Sequence, residues 1–248
     1  MKKIESTEIR EMIPAAEAAS GDAVYPLSVA EGIQTGEICT SGDAVLFRHQ
    51  CGFAFLSGKP DDTVLRETEE CMLSAQAQQQ RFVLITEDAA VISYFGNRPG
   101  IASGRRIYYE AAKAAPEFDL PEGYELRRTD AELAEKLTGK IVPSWSWPST
   151  EQFLQNGIGY CILHGDDIAA SAFTAAVTEK YTDIGVETAE AYRRSGLAKI
   201  AAAAVMREVQ AQGKLPVWAH KTTNLGSLKV AEALGFLPVR ICKTFEIA

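Results

Sequence analysis

The stretch Arg193-Arg194-Ser195-Gly196-Leu197-Ala198 decides the fold, because it joins a predicted strand at residues 181–188 to a predicted amphipathic helix at residues 196–212. Backbone N–H groups at the first turn of a helix lack an intrahelical acceptor, and the helix dipole adds partial positive charge there. Gly196 and Ala198 have little or no side chain to block a phosphate group from these N–H groups, while Arg193 and Arg194 supply positive charge. The stretch therefore predicts a pyrophosphate-binding loop, against the alternative of an ordinary helix start with two solvated arginines.

The surrounding residues predict a mixed α/β sheet. Strands are predicted at 124–128, 160–164, 169–177, 216–220 and 237–247, and helices at 130–138, 151–155 and 225–234. The three strands before the loop are close together and are connected by short polar turns, which indicates antiparallel hairpins. Hairpins that lead into a strand, helix, strand, helix unit are typical of a mixed sheet.

The N-terminal part shows a second, smaller α/β pattern. Helices are predicted at 6–20, 62–79 and 87–94, and strands at 44–47, 52–56, 82–86 and 106–109. The evenly spaced glycines of residues 95–106 resemble a phosphate loop, but no amphipathic helix follows them, so a flexible connection is favoured. Pro116, Pro121 and Gly123 mark a boundary near residue 118. We expect two domains, residues 1–118 and 119–248.

Composition excludes several classes of partner. The formal net charge is −8 and the pI is near 5.1, which disfavours nucleic acid and anionic membranes. The first residues contain no apolar signal segment, and no apolar run approaches the ~20 residues that span a bilayer. The five cysteines form no C-x-x-C pair, so no metal site is expected. A cytoplasmic protein is the expectation.

Downstream residues give the loop a family context. The order strand, R-x-x-G-x-A, long helix and strand, followed by Asn224, Ser227 and Leu234-Gly235-Phe236, resembles the GNAT acetyltransferases. Val186-Glu187-Thr188 before the loop is similar to a bacterial subgroup of that family that includes zwittermicin-resistance-like proteins. The resemblance covers about residues 124–248. Over residues 1–118 it is limited to length and layout, and this part is interpreted as a degenerate GNAT-like copy.

The resemblance implies an acetyl-CoA site. The strand that ends at Thr188 would separate from the strand at 216–220, and backbone groups of Val186 and Thr188 would pair with the pantetheine amides. Residues that would bind the cofactor include Arg193, Arg194, Ser195, Gly196, Leu197 and Ala198 of the loop, with Asn224 and Ser227 near the pantetheine arm. Asn224 precedes an apolar helix, so an N-cap role alone is the alternative for it.

Acetyl transfer also requires a base for the amine and a proton for the thiolate. Glu187, at the end of the predicted strand, is the candidate base. Asp183, four residues earlier in the same strand, is the alternative. His220 is the candidate proton relay. The resemblance implies a tyrosine seven residues after Asn224, but Ala231 stands there. This departure leaves water, His220 or Ser227 as the proton source.

Trp145 and Trp147 lie between prolines, where the family binds its acceptor. They either line a substrate pocket or fix the loop to the core. The expected activity is direct acetyl transfer from acetyl-CoA to a primary amine of a small molecule, in a ternary complex. The alternative, prompted by Ala231, is an acyl-CoA sensor without turnover. The oligomeric state stays open, with a homodimer as one alternative.

Overall fold

The computed structural model describes residues 1–248 as an α/β protein. Its strands are β1 (Lys2–Lys3), β2 (Gly36–Ser41), β3 (Ala44–His49), β4 (Phe53–Ser57), β5 (Val83–Thr86), β6 (Ile101–Ala111), β7 (Tyr124–Arg128), β8 (Gly159–His164), β9 (Asp167–Val177), β10 (Tyr181–Thr188), β11 (Leu215–Lys221) and β12 (Phe236–Ile247). Its helices are α1 (Ile13–Glu17), α2 (Val24–Ala30), α3 (Asp62–Ala77), α4 (Ala89–Gly96), α5 (Ala131–Lys136), α6 (Thr150–Asn156), α7 (Leu197–Ala211) and α8 (Leu225–Leu234). No helix is both long and apolar enough to cross a bilayer.

The chain divides into two compact units. The first unit contains Met1–Tyr108 and Arg240–Ala248, and the second contains Tyr109–Val239. The division falls inside β6 and inside β12, earlier in the chain than the boundary expected near residue 118. The last nine residues, which we had expected in the second domain, belong to the first unit because their strand pairs with β5.

The first unit is a mixed sheet with strand order β1-β2-β3-β4-β5-β12-β6. β2, β3 and β4 are antiparallel neighbours, β4 and β5 are parallel, and β12 is antiparallel to β5. Helix α3 buries Val64, Leu65, Met72 and Ala75, whose spacing places them on one face. They pack with apolar residues of the sheet, including Phe245 of β12. The last strand therefore contributes to the core of the first unit.

Several segments of the first unit differ from the sequence prediction, and β1 and β2 are strands where none was predicted. The expected helix at 6–20 is a 3₁₀ turn at Ile9–Met12 followed by α1, whose first turn contains Pro14. Helix α2 was missed because all of its residues are buried, and a helix buried on every side has no amphipathic period. The expected flexible connection at 95–106 is partly strand, since β6 begins at Ile101; its start is exposed and lacks alternating apolar residues.

A buried histidine in β3 makes the first unit sensitive to acid. His49 is 1% exposed, and its Nδ1 accepts a hydrogen bond from the backbone N–H of Cys51 at 3.1 Å. Burial lowers the pKa of His49 from its ordinary value near 6.5 to about 3. Below pH 6.5 the unfolded chain therefore binds a proton that the folded chain does not, so acid favours unfolding.

We expect His49→Phe to flatten this part of the pH profile of stability. Between about pH 6 and pH 3, the free energy of unfolding of the wild type should fall more steeply than that of the variant by up to about 1.4 kcal/mol per pH unit, the value for one proton. Urea titrations at a series of pH values measure the two slopes. Equal slopes would show that His49 does not set the acid sensitivity.

The second unit repeats the element order of the first. Its sheet runs β11-β10-β9-β8-β7, with antiparallel pairs except for the parallel pair of β10 and β11. In both units a strand and two helices precede three antiparallel strands, a long helix, a parallel strand and a second helix. The prediction of a mixed α/β sheet is confirmed, and the helix predicted at 196–212 is α7.

Candidate active site

The β10–β11 ladder ends before the strands do. Their parallel pairs are Tyr181 with Leu215, Thr182 with Pro216 and Asp183 with Val217, whereas β10 continues to Thr188 and β11 to Lys221. The separation of these strands expected from the family resemblance is therefore confirmed. On its other edge, β10 stays paired with β9 as far as Thr188.

A β-bulge marks the point where the strands separate. Asp183 is opposite Ala176 of β9 and Ile184 is opposite Thr174, so Ala175 is the extra residue. A bulge increases local strand twist and redirects the side chains around it. The bulge therefore lies beside Asp183, the last residue of β10 that pairs with β11.

The phosphate loop, residues 193–198, ends at the uncapped start of α7. Gly196 has φ +82° and is the N-cap, and no side chain caps the first turn, which contains no acidic residue. Arg194 also has a positive φ, +67°, which is uncommon for a residue with a side chain. The loop is held by the Ser195 hydroxyl, which donates to the carbonyl of Tyr192, and by Arg193 Nε, which lies 3.4 Å from the carbonyl oxygen of Thr188.

Lys199 is a third cation at this loop, and the sequence analysis did not identify it. Its Nζ lies 4.6 Å from the centroid of the Phe118 ring, a cation–π contact. A Cβ placed on Gly196 would lie 3.3 Å from Lys199 Cε. The lysine therefore folds back over the loop. A basic residue at the third helical position after the glycine was the available signal.

Helix α3 of the first unit has the same place in the element order as α7, but its start is negatively charged. The Asp61 carboxylate caps α3, accepting from the N–H groups of Thr63 and Val64 at 2.9 Å, and Asp62 adds a second negative charge. A carboxylate at this position satisfies the N–H groups that an anion would bind and repels it. This helix start is therefore not an anion site.

The ends of β4 and β5 in the first unit are also bridged by the chain itself. The N–H of Ser20 donates to the carbonyl of Leu56 at 2.9 Å, and the Ser20 hydroxyl lies 2.9 Å from Thr86 Oγ1. The same hydroxyl oxygen accepts from the N–H of Glu87 at 2.8 Å. Ser20 thus occupies the position between the ends of these two strands.

Glu187 is tied to the segment after α5. Its Oε2 accepts hydrogen bonds from the N–H of Lys140 at 3.1 Å and of Ile141 at 3.0 Å. Gly139 has φ +129°, and a Cβ there would lie 2.8 Å from Glu187 Cγ. Glu187 lines a cleft of about 600 Å³ whose other residues include Lys136, Gly139, Asp166, Asp167, Glu190 and Arg193.

His220 lies in the core of the second unit, 4% exposed. Its Nδ1 is 2.8 Å from the carbonyl oxygen of Lys221, so Nδ1 carries the proton and donates. Nε2 lies 3.0 Å from the hydroxyl of Tyr109 and accepts from it, and the two rings stack. Burial, and secondarily the negative charge of Glu232, raises the pKa of Tyr109, which keeps this donor protonated. Both nitrogens of His220 are therefore engaged, which does not favour a proton relay.

Asn224 and Ser227 make local contacts at the start of α8. Asn224 Oδ1 accepts from the N–H of Ser227 at 3.1 Å, which is the N-cap alternative considered from the sequence. The Ser227 hydroxyl oxygen accepts from Trp218 Nε1 at 3.0 Å. Ala231, which stands where the family resemblance implies a tyrosine, is fully buried and has no hydroxyl.

The two tryptophans have different environments. Trp147 is 1% exposed, donates from Nε1 to the carbonyl of Thr174 at 2.8 Å and packs against Phe153. Its ring fixes the loop to the core, the second alternative from the sequence, and is not accessible to a substrate. Trp145 is half-buried and stays the accessible member of the pair.

Comparison with known proteins identifies the class. Residues 31–245 match the family model described as GNAT acetyltransferase. The chain belongs to this family. Over 133 residues it is 26% identical to the uncharacterized N-acetyltransferase YdfB of Bacillus subtilis (strain 168), and this match spans about half of each protein, 53% of this chain and 51% of the relative.

Solved structures extend the likeness to nearly the whole chain. The GCN5-related N-acetyltransferase-like protein of Streptococcus suis 89/1591 has a TM-score of 0.73 at 25% identity and covers 98% of this chain and 99% of its own. A tandem GNAT protein from the clavulanic acid biosynthesis pathway has a TM-score of 0.62 at 15% identity, covering 98% and 96%. The second similarity concerns the fold alone. It agrees with two GNAT-like halves in this chain, the first of which corresponds to the degenerate copy expected from the sequence.

Proposed function

We propose that this protein is an acetyl-CoA-dependent N-acetyltransferase that acetylates a primary amine of a small molecule by direct attack in a ternary complex. The observation that carries the proposal is the combination, in the second unit, of an open strand pair with an uncapped helix start. β10 and β11 separate after Asp183, and no side chain caps the N–H groups at the start of α7.

The residues at this opening suit the cofactor. The amides of residues 195–198, with Arg193, Arg194 and Lys199, would bind the pyrophosphate. The part of β10 beyond the ladder, at Val186 and Thr188, would pair with the pantetheine amides, and Asn224 and Ser227 would contact the arm. A side chain at position 196 would enter the loop, where its Cβ would lie 3.3 Å from Lys199 Cε. When bound, acetyl-CoA supplies the thioester that the amine attacks.

The acceptor would bind in the cleft beside Glu187. Its lining is rich in carboxylates, including Asp166, Asp167 and Glu190, which favours a cationic amine over an acidic one. Trp145 is the proposed aromatic contact. Because the cleft is acidic and the chain carries a net charge of −8, a nucleic-acid acceptor is disfavoured. A cytoplasmic location, a homodimer and membership of the zwittermicin-resistance-like subgroup belong to the same proposal.

Release of free thiol from acetyl-CoA tests the activity. The purified chain is incubated with acetyl-CoA and a panel of small mono- and polyamines, with small carboxylic acids as controls. Amine-dependent thiol release, with the acetylated amine detected by mass spectrometry, is the expected result. Thermal stabilisation by CoA without turnover on any amine would instead favour the sensor, the alternative supported by buried Ala231.

We expect one CoA to bind per chain. The first unit lacks a second site because Asp61 caps α3 and Ser20 bridges the ends of β4 and β5. Calorimetric titration with CoA should give a stoichiometry near one for the wild type and also for Asp61→Gly, since removing the cap leaves Ser20 in place. A stoichiometry near two for the wild type would contradict this assignment.

A further inference from the structure

The segment that joins β6 to β7 is attached to helix α7. This connector, residues 112–123, contains neither helix nor strand. The Gln210 side chain of α7 binds it twice, because its Oε1 accepts from the N–H of Ala115 and its Nε2 donates to the carbonyl of Lys113, both at 2.9 Å. The connector is therefore fixed to α7 near the C-terminal end of that helix.

Phe118 of the connector contacts the other end of the same helix. The centroid of its ring lies 4.6 Å from Lys199 Nζ, in the first turn of α7. Lys199 and Gln210 are about three helical turns apart, so they lie on the same face of α7 and roughly 16 Å from each other along its axis. The connector thus follows this face from Gln210 toward the phosphate loop.

The Lys199 ammonium lies between the Phe118 ring and Gly196. A Cβ placed on Gly196 would lie 3.3 Å from Lys199 Cε and 3.9 Å from its Nζ. Lys199 has no carboxylate partner, so no acidic group of the chain neutralises its charge. A lysine side chain is long and flexible, and fixing its ammonium in one place costs conformational entropy. The contact with the ring offsets part of this cost.

We propose that Phe118 is a positioning residue for the cofactor, whose ring holds the Lys199 ammonium at the phosphate loop, where it meets the pyrophosphate of CoA. This inference rests on the CoA site proposed above. A cation–π contact orients the ammonium without neutralising it, so the charge stays available to an anion. A carboxylate in place of the ring would compete with the phosphate. The connector, which the sequence suggested only as a domain boundary, thereby becomes part of the cofactor site.

Calorimetric titration of full-length variants with CoA tests this role. Lys199→Met should weaken binding by about tenfold, as expected for the loss of a hydrogen bond to a charged group. Phe118→Leu keeps the apolar bulk but removes the aromatic face, and should weaken binding roughly three- to fivefold. Phe118→Tyr should retain the affinity of the wild type. Lys113→Met, the matched control, removes a connector cation whose side chain packs against Gly235, and should also leave the affinity unchanged.

Two further measurements separate positioning from a structural role. If Phe118 acts through Lys199, Phe118→Leu and Gln210→Leu should each weaken CoA binding in the wild-type background and have no effect in the Lys199→Met background. In proton NMR spectra, the ring current of Phe118 should displace the Lys199 ε-methylene signals upfield, and Phe118→Leu should abolish this displacement. The NMR result requires neither CoA nor turnover.

Contrary results are specific. An equal loss of affinity on Phe118→Leu in both backgrounds would mean that the ring supports the fold and does not act through Lys199. Unchanged or tighter binding by Phe118→Leu, or ε-methylene signals that this substitution does not move, would remove the positioning role. A wild type that binds CoA but acetylates no amine would refute the proposed transfer activity and leave this inference intact. A wild type that binds no CoA would refute the cofactor site and this inference with it.

Discussion

Replacing Gly196 with glutamate is expected to weaken CoA binding by on the order of 100-fold, equivalent to about 3 kcal/mol or the loss of about two charge-assisted hydrogen bonds. The new side chain would enter the phosphate loop, and its carboxylate would repel the pyrophosphate. It would also meet the aliphatic part of Lys199. Isothermal titration calorimetry with CoA measures the change.

Gly213 provides a matched control at the other end of the same helix. It also has a positive φ, +74° against +82° for Gly196, and no atom lies within 4 Å of a Cβ placed there. Gly213→Glu therefore adds the same charge and comparable backbone strain far from the loop. The helix dipole should make Gly196→Glu the less destabilising of the two variants. If both variants bind CoA equally well, the phosphate loop has been assigned to the wrong residues.

Replacing Trp147 with alanine is expected to destabilise the second unit by about 3–5 kcal/mol, the usual cost of removing a large buried aromatic side chain. The indole fills space against Phe153 and donates to the carbonyl of Thr174, which would lose its partner. Urea unfolding followed by circular dichroism measures the loss.

Trp145→Ala is the comparison variant. Because Trp145 is only half-buried, we expect a smaller loss of stability and, under the proposed function, a higher acceptor KM. Similar destabilisation by both substitutions would mean that Trp145 is also a core residue. It would then have to be removed from the proposed acceptor contacts.

The parts of the site that local sequence encodes were predictable. The phosphate loop was identified because Gly196 and the apolar period of α7 are adjacent in sequence, and the family resemblance supplied the separation of β10 from β11. The attachment of Glu187 to Lys140 and Ile141 was not predictable. It depends on N–H groups 46 and 47 residues away, which leave no mark on the sequence of β10 itself.

The same distinction explains the first unit. Asp61 directly precedes the predicted helix at 62–79, which is a local signal for a helix cap. Ser20, in contrast, contacts Thr86, Glu87 and Asp88, far along the chain, which no local pattern indicates. Helix α2 was missed because complete burial removes the amphipathic period. The polarity pattern of a segment predicts helices and strands that have one solvent-exposed face. Elements and contacts that depend on residues distant in sequence are found only in the structure.

The position of β12 has a consequence for the order of folding. Thr244 and Phe245 pair with Ile85 and Leu84, so the sheet and core of the first unit are incomplete until residues 240–248 have left the ribosome. The first unit therefore cannot complete its fold before the second unit is synthesised, unlike the usual order in which the N-terminal domain folds first. A fragment of residues 1–118 would leave the edge of β5 unpaired and prone to association. Attempts to express the halves separately should attach residues 240–248 to the first.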